Sequence, residues 1–212
     1  MSGKKLQVNT GGEKTAEVDK SKIAEYVFKF VLGLVVSCGK IVGGLSPFGV
    51  AFTAACGTGG GASVALAGSV AGYLLTCSFD QMVKYIPAAL MMYIACLTLK
   101  KWPPARSIWF APAAAFAVMA IFSFACDTGR GAEFSAYMLC IADAVIAGAG
   151  TYFFSRALSP WKGKLDFLRA EDIRHTVSVL FLISVILIAA GGIVVFDMIS
   201  IGRAMAVSYT HL

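Results

Sequence analysis

The sequence predicts an all-α fold: a polytopic bundle of membrane helices, about seven spans plus the start of an eighth. Three observations predict it. Of the 212 residues, 58% are hydrophobic and only 14% charged, against about 25% charged in a soluble domain. A soluble fold with so few charges could not cover its surface. The apolar residues also gather into runs of about 20, the length that crosses a hydrocarbon core of ~30 Å. Finally, Lys and Arg concentrate in the short polar stretches between those runs, as they do in membrane-protein loops.

Residues 1–22 are polar, with Gly11-Gly12 and scattered Lys and Glu. They read as a disordered cytoplasmic tail with no signal-peptide pattern. The transmembrane region occupies 23–206, and its first part, Ile23–Gly57, is too long for one helix. Gly39-Lys40 interrupts it, and Gly43-Gly44 and Pro47 weaken its second half. The reading splits it into Ile23–Cys38 and Ile41–Gly57. Five clearer spans come next: Gly61–Phe79, Met82–Leu99, Ile108–Cys126, Phe134–Phe154 and Thr176–Phe196. Helix is the state that satisfies every backbone group inside lipid. A further helix is expected to start near Met198 and to be cut off, which makes the chain a fragment. The polar end 207–212 does not fit a span and is read as a non-native tail of translated adapter sequence.

Loop charge orients the spans. The tail holds Lys4, Lys5, Lys14, Lys20 and Lys22. The loop after Leu99 holds Lys100, Lys101 and Arg106, and the stretch Arg156–Arg174 is basic as well. All three are expected in the cytoplasm, which requires Ile23–Gly57 to make two crossings or none. Two are chosen; an interfacial helix plus a re-entrant loop has the same parity.

The net charge of +6 belongs to these loops. No basic groove with interleaved aromatics is present, so no nucleic-acid partner is expected. The six cysteines, Cys38, Cys56, Cys77, Cys96, Cys126 and Cys140, form no C-x-x-C pair and read as free packing thiols. Gly57-Thr-Gly-Gly-Gly61 lacks the Gly-Lys-Ser/Thr of a phosphate loop and reads as a turn. Asp127-Thr-Gly129 lacks the second aspartate and β scaffold of an aspartic protease. His175 is read as an interfacial surface residue. No catalytic, cofactor-binding or metal site is visible.

Gly68-Ser-Val-Ala-Gly72 is a small-xxx-small motif, and Gly148 and Gly150 extend the theme, so these four glycines are the candidate helix-packing positions. Asp143 lies mid-span, where a carboxylate costs several kcal/mol unless paired, protonated or wet. It is the intramembrane polar candidate, read either as a protonated or hydrogen-bonded contact between helices, the reading favoured here, or as an ion or substrate contact. Asp143→Asn is therefore expected to leave insertion and localisation nearly intact. Lys29 and Lys84 sit near span ends and are read as snorkelling.

Two stretches carry a resemblance. Gly39-Lys-Ile-Val-Gly-Gly-Leu-Ser46-Pro47-Phe48-Gly49-Val-Ala-Phe52 resembles an early membrane motif of the stage II sporulation protein E family, with Lys40 and Ile41 where that family usually has Arg and Ala. Leu168-Arg-Ala-Glu-Asp-Ile173, Gly191-Gly192 and Ile199-Ser-Ile-Gly202-Arg203 are similar to a later acidic lead-in, a glycine near the end of the following span and an Ile-Gly-Arg helix start. The resemblance covers about 23–206. It implies the membrane region, of about ten helices, of a protein whose missing C-terminal domain is a manganese-dependent PP2C-type serine phosphatase acting on an anti-sigma-factor antagonist. It also implies the division protein FtsZ and septal proteins as partners, besides the lipid bilayer and a second copy of the chain. The location implied is the cell membrane at the asymmetric septum of an endospore-former, N-terminus cytoplasmic. The chain itself would be an anchor, with no cofactor and no enzyme activity. The alternative is a small-solute transporter or channel, for which Asp143, Pro87 and the glycine-broken Ile41–Gly57 speak.

Overall fold

The computed structural model describes residues 11–41, 44–57, 60–103, 107–128, 134–159, 170–192, 194–195 and 199–200. Among the described residues there are seven helices: α1 Gly11–Ser37, α2 Phe48–Ala55, α3 Gly60–Thr76, α4 Phe79–Leu99, α5 Phe110–Thr128, α6 Phe134–Ala157 and α7 Ala170–Gly192. Val194–Val195 pairs antiparallel with Ile199–Ser200, where the sequence predicts the start of an eighth helix. Helix α1 begins at Gly11 rather than Ile23, so residues 11–22, expected to be disordered, are helical. Residues 1–10 and 207–212 lie outside the described residues.

Three helical segments are long and apolar enough to cross a bilayer: Phe79–Leu99, Ala136–Ala157 and Asp172–Gly191. Gly61–Thr76 and Phe110–Cys126 are shorter apolar helices. Hydrophobicity here does not track burial. Asp172–Gly191 is the most apolar of the three, yet only 17% of that window is buried. Its outward face carries Ile173, Val177, Leu180, Ile183 and Leu187. A helix this apolar on its exposed side is suited to lipid.

Seven full-length spans are not what the structure supports, because Ile41–Gly57 is not a spanning helix. Its described residues before α2, Ile41 and Gly44–Pro47, belong to no α-helix and form a leader to the 8-residue α2, about 12 Å long at 1.5 Å per residue. Seven of the eight α2 residues, Phe48–Ala54, are buried. Helix α2 belongs to both apolar clusters: Val50 and Ala54 pack with Tyr73, Tyr85, Met92 and Met119, while Phe48, Ala51 and Phe52 pack with Leu32, Val36 and Phe154. It is a central plug surrounded by the longer helices.

Close approaches fix the helix directions. A Cβ built on Gly68 would lie 2.2 Å from the Phe30 carbonyl oxygen, and one on Gly72 would lie 2.2 Å from Ser37 Oγ and 2.5 Å from the Leu34 carbonyl oxygen. Glycine is required at both because the two backbones touch. Lys29 likewise meets Gly61, so α1 and α3 run parallel. The chain between them therefore reverses, which it does through the leader and α2 rather than by a second full crossing. Gly148 abuts Phe116 and the Pro112 carbonyl of α5, and Gly150 abuts Ala51 of α2 at 3.2 Å. Helices α5 and α6 are antiparallel (Trp109 stacks on Tyr152, Ser123 meets Asp143). Helices α6 and α7 are antiparallel too, through Phe153, Phe154 and Phe181. One end of the bundle thus collects Lys29, Lys100, Lys101, Arg156 and Arg174; the other holds the leader, Thr76 and Ala189. All six cysteines are free thiols.

Candidate functional site

Four polar side chains of this apolar chain, from three helices, converge on one buried centre. Asp143, halfway along α6, is fully buried. Lys84 Nζ of α4 lies 2.8 Å from its Oδ2. The Tyr85 hydroxyl donates to Oδ2 at 3.1 Å, and the Ser123 hydroxyl of α5 donates at 3.2 Å. Two helices therefore supply three donors to a carboxylate on a third. Asp143 is thus a hydrogen-bonded contact between helices, with Lys84 as a cationic partner that the sequence reading did not assign. One expectation is corrected: Lys84 does not snorkel but is 8% exposed. In apolar surroundings an ammonium and a carboxylate are far less costly side by side than either would be alone.

A second layer links this centre to α2. The Tyr85 hydroxyl accepts the Ser46 backbone N–H at 3.0 Å. The Tyr73 hydroxyl of α3 accepts the Val50 N–H at 3.0 Å and donates to the Ser46 carbonyl at 2.9 Å. The Ser46 hydroxyl reaches the carbonyls of Ser37 and Gly39, each at 2.9 Å; having one proton, it shares it between them. The rings of Tyr73 and Tyr85 stack with centroids 5.4 Å apart. A helix start leaves backbone donors without intrahelical partners. At membrane depth, with no water to bond them, this is tolerated only where protein satisfies them. Tyr73 performs that service for Val50, and Tyr85, which ends on Asp143, takes the Ser46 N–H just before the N-cap.

The motif residues take distinct parts. Ser46 is the hub, Pro47 is the N-cap of α2, and Phe48 packs edge-on against Phe154 and Phe181. Gly49 must lack a side chain, because a Cβ there would fall 2.6 Å from the Tyr73 hydroxyl. Gly202 and Arg203 lie outside the described residues. Pro87 does not break its helix: α4 runs through it from Phe79 to Leu99. The leader is pinned to the start of α4 by Gln81, whose Nε2 donates to the Gly44 carbonyl at 2.8 Å. Its Oε1 accepts the Ser78 N–H at 3.3 Å.

Lys84, Tyr85, Tyr73 and Ser123 were not legible as site residues. Lys84 could have been found, since a lysine inside one apolar run and an aspartate inside another suggest each other as partners. Among the described residues no group of three or more His, Cys, Asp or Glu side chains is placed to hold a metal ion. No family model, no curated protein and no solved structure matches the chain.

Proposed function

We propose that this chain is a membrane anchor, the multi-pass region of a sporulation serine phosphatase of the stage II sporulation protein E type. Its basic end lies in the cytoplasm, and it directs the parent protein to the asymmetric septum. Six helices, α1 and α3–α7, cross the bilayer, with α2 as the half-length return. The enzyme activity and its manganese belong to a domain outside this chain, and FtsZ and septal proteins are the partners the resemblance implies. The observation that carries the reading is the architectural use of Ser46-Pro47-Phe48-Gly49. Within this stretch, on which the resemblance rests, Ser46 bonds to α1, α3 and α4, Phe48 packs on α6 and α7, and Gly49 admits the Tyr73 hydroxyl. Asp143 has three side-chain donors, as suits a staple between helices more than a site that must load and release an ion. The gathering of the basic segments at one end is in keeping with the positive-inside rule.

Two experiments test this. In a cysteine-free background, a cysteine placed at Ser159 should resist an impermeant reagent added outside the cell; labelling there refutes the orientation. In the completed parent protein, the charge-free double variant Lys84→Met/Asp143→Asn should still reach the septum and support sigma-factor activation. A second reading, a small-solute transporter, draws on the buried ion pair beside a half-helix. It requires the charges, so loss of function in a well-folded double variant, with Asp143-dependent ion flux in liposomes, would favour it instead.

A further inference from the structure

The basic end of the bundle carries a stack of side chains that the buried centre does not use. Trp109, just before α5, and Tyr152 of α6 stack with ring centroids 5.3 Å apart and planes at 14°. The Arg156 guanidinium carbon lies 5.8 Å from the centroid of the Tyr152 ring. Arg156 is in the last turn of α6, where the carbonyl end of the helix dipole favours a cation. Nearby in the same end of the fold, Trp102 packs edge-on against Phe110, and the exposed Lys100 and Lys101 precede it. Trp102 and Trp109 are 53% and 68% exposed.

Tryptophan and tyrosine settle at the headgroup level of a bilayer because one edge is polar and the rest apolar. An interfacial belt with a snorkelling arginine would account for that much. It does not account for Arg156 Nε, which is buried with no hydrogen-bond partner. Buried donors are paired in nearly all proteins, and among the described residues no carboxylate pairs with Arg156. Among the described residues the arrangement lacks an anionic acceptor. A guanidinium fork placed over an aromatic ring matches a phosphate group. Basic clefts between helices at a membrane surface take acidic lipid headgroups.

The geometry points to a binding site for the phosphate of an acidic glycerophospholipid, formed by Arg156 on Tyr152 and Trp109. Lys100 and Lys101 add positive field, and the two tryptophans lie along the headgroup boundary. The site rests on the membrane-spanning reading of the chain, with this end at one interface.

The test uses the full chain purified in maltoside micelles, with phosphatidylglycerol, phosphatidylcholine and inorganic phosphate as probes, read by native mass spectrometry and thermal unfolding. Phosphatidylglycerol should remain bound and raise the melting temperature; phosphatidylcholine should do neither. Arg156→Gln should weaken phosphatidylglycerol binding about tenfold, the loss expected for one charge-assisted contact. Arg156→Lys should fall between, keeping the charge without the planar fork. Equal binding of the two lipids, or wild-type affinity in Arg156→Gln, overturns the proposal. So does an equal shift from millimolar inorganic phosphate, which would make the ligand a free anion. Should Arg156→Gln not fold, the lipid preference of the wild type and Arg156→Lys decide. Carbonate washing of the source membranes separates the two readings. Release of the chain defeats the membrane reading, whereas retention without lipid preference defeats only this site.

Discussion

Removing the Asp143 charge alone should cost more than removing both charges of the buried ion pair. Asp143→Asn removes the carboxylate charge 2.8 Å from the Lys84 ammonium, which is 8% exposed. Removing one member of a buried pair costs about 3–5 kcal/mol, and a lysine at bilayer depth about 2.5–3.5 kcal/mol. Both routes give a loss of about 3 kcal/mol. Lys84→Met is milder, because Asp143 can take up a proton and keep its contacts to Tyr85 and Ser123; about 1–2 kcal/mol is expected, the range for a buried hydrogen-bonding group that loses one partner. The double variant Lys84→Met/Asp143→Asn removes both charges, so it should be at least about 1 kcal/mol more stable than Asp143→Asn alone. The assay is reversible unfolding of the purified chain in mixed micelles with increasing SDS, run as a double-mutant cycle. If the two single losses simply add in the double variant, within about 0.5 kcal/mol, the charges are not coupled and the staple argument fails.

Three more predictions share that assay. Gly68→Leu and Gly72→Leu should each cost at least about 2 kcal/mol, since overpacking drives the α1 and α3 backbones apart, while Gly191→Ala, with nothing within 4 Å, should be neutral or slightly stabilising; equal melting for all three would place the Gly68 face against lipid. Tyr73→Phe leaves the Val50 N–H and the Ser46 carbonyl without their hydroxyl. It should cost about 1–3 kcal/mol and speed amide exchange at Val50, and unchanged exchange would mean that another group caps α2. Phe154→Ala should cost about 3–5 kcal/mol, because its ring is fully buried between Phe48, Phe52 and Phe181; a loss under about 1 kcal/mol, below that range, would show that α2 does not seat on α6.

The sequence by itself determined the fold class and the rough place of the five clear helices, because apolar run length answers directly to the thickness of a bilayer and helix is the state that satisfies backbone there. Gly68 and Gly72 were legible for a related reason: spacing by four puts them on one helix face, where small residues mark backbone contact; Gly148 and Gly150, two apart, meet α5 and α2 separately. The tertiary structure decided the rest. Hydropathy cannot separate a span from a buried half-helix, since both are equally apolar, and so Ile41–Gly57 read as a crossing. Lys84 read as a residue near a helix end because only sequence distance was available. In the fold, the leader at Gly44 and Ser46 bonds to Gln81 and Tyr85 and covers that end of α4 with protein, which closes the route to water and turns the Lys84 ammonium to Asp143. Pairing between residues on separate helices depends on how those helices lie side by side, and no local pattern encodes that.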